Sequence, residues 1–143
     1  MRGGNSAAPC TLQPARQPLS PRLGVARHEP VNILYLENHA VFAEQVTRRF
    51  LTAHRVTVVP SLLAARVVFG SGGFDLVLSD YDLDDGKGEE FVRECRTTHP
   101  RLPIIAVSSH VAGNAALVAA GASAVCSKME FDRIEEVIGR FET

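Results

Sequence analysis

The chain has 143 residues, 45% of them hydrophobic, which suits one folded domain with a buried core. Its formal net charge of −1 hides a split: residues 1–29 carry four arginines against Glu29, whereas residues 31–143 carry eleven basic and fifteen acidic side chains. An acidic body argues against nucleic acid as the main partner, and no apolar run approaches the ~20 residues of a membrane helix.

Residues 1–30 read as a disordered, arginine-bearing tail. Five of the eight prolines fall there (Pro9, Pro14, Pro18, Pro21, Pro30), and few large apolar residues accompany them. The texture changes at Val31, and residues 31–143 read as one domain. Residues 31–36 (VNILYL) form a short apolar run. Residues 40–51 follow with Phe42, Ala43, Val46 and Phe50 at helical spacing. A β-branched run, 56–59, precedes a helical stretch from Pro60-Ser61 through Phe69, with Ser61 as its N-cap and Gly70 to Gly73 as its stop.

The third strand is 74–80 (FDLVLSD). Gly86 and Gly88 flank a turn, and 89–97 is a helix with acids in its first turn. Residues 104–107 form the fourth strand, 114–120 a short alanine-rich helix stopped by Gly121, and 124–126 a brief fifth strand. Residues 131–141 close the chain as a helix with Phe131, Ile134, Val137 and Ile138 on one face. Cys95 and Cys126 lie in apolar runs. None of the three cysteines has a ligand spacing, so reduced thiols of a cytoplasmic protein are expected.

Five strand–helix repeats with near-continuous apolar strands predict an α/β fold, a (βα)5 doubly wound five-stranded parallel sheet. In such sheets function gathers beyond the carboxyl ends of the strands. Those ends carry Glu37 and Asn38, then Asp80 with Asp82 two residues on, then Ser108 and Ser109, and finally Lys128. Facing carboxylates repel unless a cation joins them. A hard cation such as Mg2+ takes oxygen ligands and bridges carboxylates to phosphate. A carboxylate can serve as the nucleophile of an acyl phosphate, and a lysine and a hydroxyl can hold the phosphoryl oxygens.

The segments ILYLENH (33–39), FDLVLSDYDLDDGKGEEF (74–91), PIIAVSSH (103–110) and AGASAVCSKM (120–129) resemble the receiver domain of two-component response regulators, over about residues 31–142. The resemblance implies the flavodoxin-like receiver fold, with Asp80 as phosphoacceptor, Ser108 as switch hydroxyl and Lys128 as partner of the phosphoryl group. It also implies Mg2+ held by Glu37, Asn38, Asp80 and the backbone carbonyl of Asp82, and a histidine kinase or histidine phosphotransfer protein as donor.

Four positions depart from the family pattern. Asn38 replaces a second acid, Asp84 and Met129 replace common prolines, and Val125 replaces an aromatic that moves with the switch hydroxyl. Val125 is short and stiff, so switching is expected to run through Ser108 and backbone movement. Asp82 and His110 are expected at the mouth of the site. His28, His39, His54 and His99 read as solvated or capping residues.

The chain stops at Thr143, just after the last predicted helix. A single-domain regulator is therefore expected, not an enzyme beyond its own phosphorylation and dephosphorylation. Its output would run by contact with a downstream protein, or as a homodimer through a face of few charges at 114–141. Two other readings stand beside this one. One is a receiver-like interaction module that does not switch, favoured by Asn38 and Val125. The other is an aspartate-nucleophile phosphatase of the haloacid dehalogenase type, whose D-x-D pattern LVLSDYD (76–82) mimics, though those enzymes carry it on the first strand of a longer chain. A calcium loop at 80–91 fails, because Asp85 and Phe91 stand where glycine and glutamate are needed.

Overall fold

A computed structural model describes residues 30–142, so the expected tail at 1–29 lies outside the described residues. Five strands form one parallel sheet: β1 (Asn32–Leu36), β2 (Arg55–Val59), β3 (Leu76–Ser79), β4 (Ile104–Ala106) and β5 (Ala124–Val125). Their spatial order is β2-β1-β3-β4-β5. The helices between and after them are α1 (Ala40–Phe50), α2 (Leu62–Gly70), α3 (Gly88–Thr98), α4 (Val111–Ala120) and α5 (Ile134–Gly139). This is the doubly wound fold that the strand–helix repeats predict.

The apolar runs of β1, β3 and β4 follow from their central places. A parallel strand covered by helices on both sides can hold apolar side chains at every position, and all of β3 and β4 is buried. One face of the sheet packs Ile33, Tyr35 and Leu78 against Ala43 and Val46 of α1 and Ile134, Val137 and Ile138 of α5. The other packs Leu34, Leu36 and Val77 against Leu62 of α2, Phe91 and Cys95 of α3, and Leu117 of α4.

Local signals behave largely as read. Ser61 caps α2, its Oγ accepting from the Ala64 amide at 3.0 Å. A second brace on that helix has no local signature: Asp85 reaches across from the loop after β3 and accepts from the amides of Leu62 (2.6 Å) and Leu63 (3.0 Å). The loop itself forms a small antiparallel hairpin, Asp82–Leu83 with Gly86–Lys87.

Two helix boundaries need correction. Helix α4 starts at Val111, not 114, because His110 already has the extended backbone of an N-cap and Gly113 is helical. The last helix is broken: a 3-10 segment, Lys128–Arg133, precedes α5, with Glu130 as the kink. Phe131 therefore packs from the 3-10 segment, against Tyr35 at 6.0 Å between ring centroids and edge-on to Phe42 at 6.1 Å.

His54 also departs from expectation, since its side chain is fully buried. Its Nδ1 accepts from the Val31 amide at 3.1 Å, and its Nε2 meets Glu135 at 2.9 Å, tying the start of β1 to α5.

Candidate functional site at the strand ends

Register places the site. Leu36 pairs with Val59 and with Ser79, Ser79 with Ala106, and Ala106 with Val125, so all five strands end in one row. Ladder hydrogen bonds run one step further: Glu37 N–H donates to Val59 O, and Asp80 N–H to Leu36 O, both at 2.9 Å. The first residues past β1 and β3 are thus held side by side as firmly as strand residues, and each is acidic.

Lys128 closes the group. Its Nζ lies 2.8 Å from Glu37 Oε1 and 3.0 Å from Asp80 Oδ2, with the side chain 12% exposed. The ammonium also sits 5.0 Å from the centroid of the Phe42 ring. Asp80 Oδ1 accepts from the Tyr81 amide at 2.7 Å. Glu37 Oε1 accepts from the Tyr35 hydroxyl at 3.4 Å, and Oε2 from the His39 amide at 3.1 Å.

Two buried carboxylates share one ammonium, and the titration behaviour reflects that shortage. Burial, and then the charge of Glu37, push the Asp80 carboxyl above the usual carboxylate range, with Lys128 opposing only in part. Burial alone would lower the Lys128 ammonium, but its bonds to Glu37 and Asp80 overcome this and hold it above its ordinary value.

A divalent cation fits this charge. Among the described residues, Glu37, His39 and Asp80 bring ligand atoms within 4.8 Å of one another. His39 is exposed and N-caps α1, as expected, and its Nδ1 stands 3.1 Å from Glu37 Oε2. Asn38, the residue after Glu37, has a buried Oδ1 without a hydrogen-bond partner, an acceptor suited to a cation or its water. Asn38→Asp is expected to tighten Mg2+ by ~1 kcal/mol or more, read by titration calorimetry. Unchanged or weaker binding would place Asn38 outside the metal's reach.

Ser108 is buried three residues before α4, and its Oγ accepts from the His110 amide at 3.1 Å. Asp82 is exposed, and its carboxylate is paired with Lys87, whose ammonium sits 5.1 Å from the Tyr81 ring centroid. Two of the departures from the family pattern have a backbone reason, since proline has no N–H to give. The Asp84 amide donates to Pro60 O at 3.1 Å, and the Met129 amide to Ser127 Oγ at 3.2 Å. Val125 is 42% exposed on β5. Cys95 and Cys126 are free and buried, and burial pushes their thiols up to about 12 and about 11.

Sequence reasoning missed Gly88. Its amide donates to Tyr81 O at 2.6 Å, and a Cβ there would overlap the Asp80 carbonyl oxygen.

Comparison with known proteins agrees with this architecture. The family described as response regulator receiver domain matches residues 33–138, and the chain belongs to that family. Solved structures of similar fold include a putative response regulator from Chloroflexus aurantiacus (19% identity, TM-score 0.70, 78% of this chain and 97% of that one). Another is a CheY-like receiver domain protein from Methanospirillum hungatei (18% identity, TM-score 0.68, covering 78% and 94%). A third is the receiver domain of NtrX from Brucella abortus (22% identity, TM-score 0.69, covering 76% and 96%). A search of curated proteins found no match. Among the described residues no helix is long and apolar enough to cross a membrane.

Proposed function

We propose that this domain works in the cytoplasm as a phosphoryl acceptor, taking the group on Asp80 from a phosphohistidine of a kinase or phosphotransfer protein. The observation that carries the reading is the buried pair Glu37 and Asp80 sharing Lys128, a site one positive charge short of balance. The donor's P–N bond breaks as an Asp80 carboxylate oxygen forms the new P–O bond, and the leaving imidazole takes a proton from solvent. Bound Mg2+ would be held by Glu37 and Asp80, with Asn38, His39 and the Asp82 carbonyl at its edge, and supplies positive charge to the phosphoryl oxygens. Lys128 then turns from Asp80 to a phosphoryl oxygen, and the Ser108 hydroxyl donates to another.

Surface features suit such traffic. A groove of about 660 Å³ between α1 and the 3-10 segment is lined by Val41, Phe42, Gln45, Phe50 and Met129, with Lys128 at its wall. Glu44, Arg48, Arg49 and Asp132 also line it, so it offers a donor protein a mixed apolar and charged seat beside the acceptor. For output, α4 is uncharged along its whole length, and Val111, Val118 and Val125 are exposed. The expectation of few charges across 114–141 holds for α4 alone, since α5 and its approach carry Arg133, Glu135 and Glu136. A homodimer or downstream partner on this face would meet an apolar half and a charged half.

Incubation with acetyl phosphate and Mg2+ is expected to add one phosphoryl mass to the protein and none to Asp80→Asn. Equal labelling of that variant, read by intact mass, would remove Asp80 from the role.

A further inference from the structure

The loop between β4 and α4 is held by a side chain that the chemistry above does not use. Asn114 is 7% exposed and sits in the first turn of α4. Its Oδ1 accepts from the Ser108 amide at 2.8 Å, and its Nδ2 donates to the Ser108 carbonyl at 2.9 Å. One amide group thus grips both polar backbone groups of the residue that carries the switch hydroxyl. The Ser108 Oγ accepts from the His110 amide, which leaves its own proton for an oxygen over Asp80.

The helix is pressed against the same residue. A Cβ at Gly113 would lie 2.7 Å from Ser108 Oγ and 3.0 Å from the Cβ of Tyr81, the residue after Asp80. Ser108 cannot move toward Asp80 alone: it takes the first turn of α4 along, or two buried hydrogen bonds break. Breaking them would strand the buried Ser108 amide and the Asn114 side-chain amide, leaving the Ser108 carbonyl only the Lys128 amide at 3.4 Å, which is costly. On the neighbouring strand Val125, short and 42% exposed, gives no inward lever.

We infer that Asn114 is a positioning residue: it aims the Ser108 hydroxyl at the phosphoryl group on Asp80 and hands the displacement of Ser108 to α4. The inference rests on the phosphorylation reading above. A purely structural Asn114 would affect stability while leaving the response of α4 to phosphate intact. The coupling role makes the two separable.

The test is amide NMR of the full chain with Mg2+, before and after adding beryllofluoride, together with the rate of labelling by acetyl phosphate. In the wild type, shifts are expected at Tyr81 and Ser108 and along α4. In Asn114→Ala the shift at Tyr81 is expected to persist while those from Ala115 to Ala120 fall to a small fraction, with labelling slower by about ten-fold. Asn114→Asp keeps the acceptor for the Ser108 amide and loses the donor to its carbonyl, so an intermediate response is expected; it carries the test if the alanine variant does not fold. Leu117→Val loosens α4 in the core without touching Ser108, and wild-type coupling is expected there. Wild-type α4 shifts in Asn114→Ala or, should that variant not fold, in Asn114→Asp would overturn the inference while leaving Asp80 in its role. A wild type that takes neither beryllofluoride nor phosphoryl would overturn both.

Discussion

Lys128→Met is expected to destabilise the folded protein by about 3 kcal/mol at neutral pH without divalent cations. The variant keeps two buried carboxylates and removes the ammonium that bonds to both. Burial and Glu37 already hold the Asp80 carboxyl above its usual range, so the folded state binds a proton more tightly there than the unfolded chain does. A carboxyl raised in this way costs stability when ionised, and the cost is lifted as pH falls through its folded-state titration. Without Lys128 the rise is larger. The stability gap to the wild type should therefore narrow on acidification, and narrow again when Mg2+ supplies the missing charge. Urea unfolding at several pH values, with and without Mg2+, measures this directly. A gap that ignores both pH and Mg2+ would mean the lysine acts by packing alone. Labelling by acetyl phosphate is expected to fall sharply in the same variant, because the Lys128 ammonium lies 3.0 Å from the acceptor carboxylate.

Gly88→Ala is expected to unsettle fold and site together. The added Cβ would overlap the Asp80 carbonyl oxygen and lie 2.6 Å from Ser79 Oγ. The first of these is backbone and cannot rotate away, so the peptide carrying Asp80 or the start of α3 must shift. Overpacking of this kind costs about 1–3 kcal/mol, and a displacement near 1 Å at the acceptor slows phosphoryl uptake by about 100-fold. Gly70→Ala is the matched control. It ends α2 with nothing within 4 Å of its added Cβ, so neither melting temperature nor labelling should fall. If Gly88→Ala melts and labels like the wild type, the close approach of α3 to Asp80 has no bearing on the site.

The sequence by itself determined the layered α/β fold and the central members of the site. The short apolar runs at 31–36 and 74–80, set in a strand–helix repeat, read as strands covered on both faces, which brings Glu37 and Asp80 to one edge of the sheet. Lys128 followed from the same logic at the end of the fifth strand. What only the tertiary structure decided lies in contacts between segments distant along the chain. His54 looked like a solvated histidine until β1 and α5 closed over it. His39 brings a ring nitrogen within 4.8 Å of an Asp80 oxygen although the two lie on different strand ends. Gly88 is bonded to the Tyr81 carbonyl and pressed against that of Asp80 by a loop that folds back on itself, and Asn114 is tied to Ser108 by a helix that starts three residues earlier than the pattern implied. Periodicity records which face of an element is buried. It carries no record of which polar atom meets which across a loop, because that depends on the helices and strand ends already being packed in place.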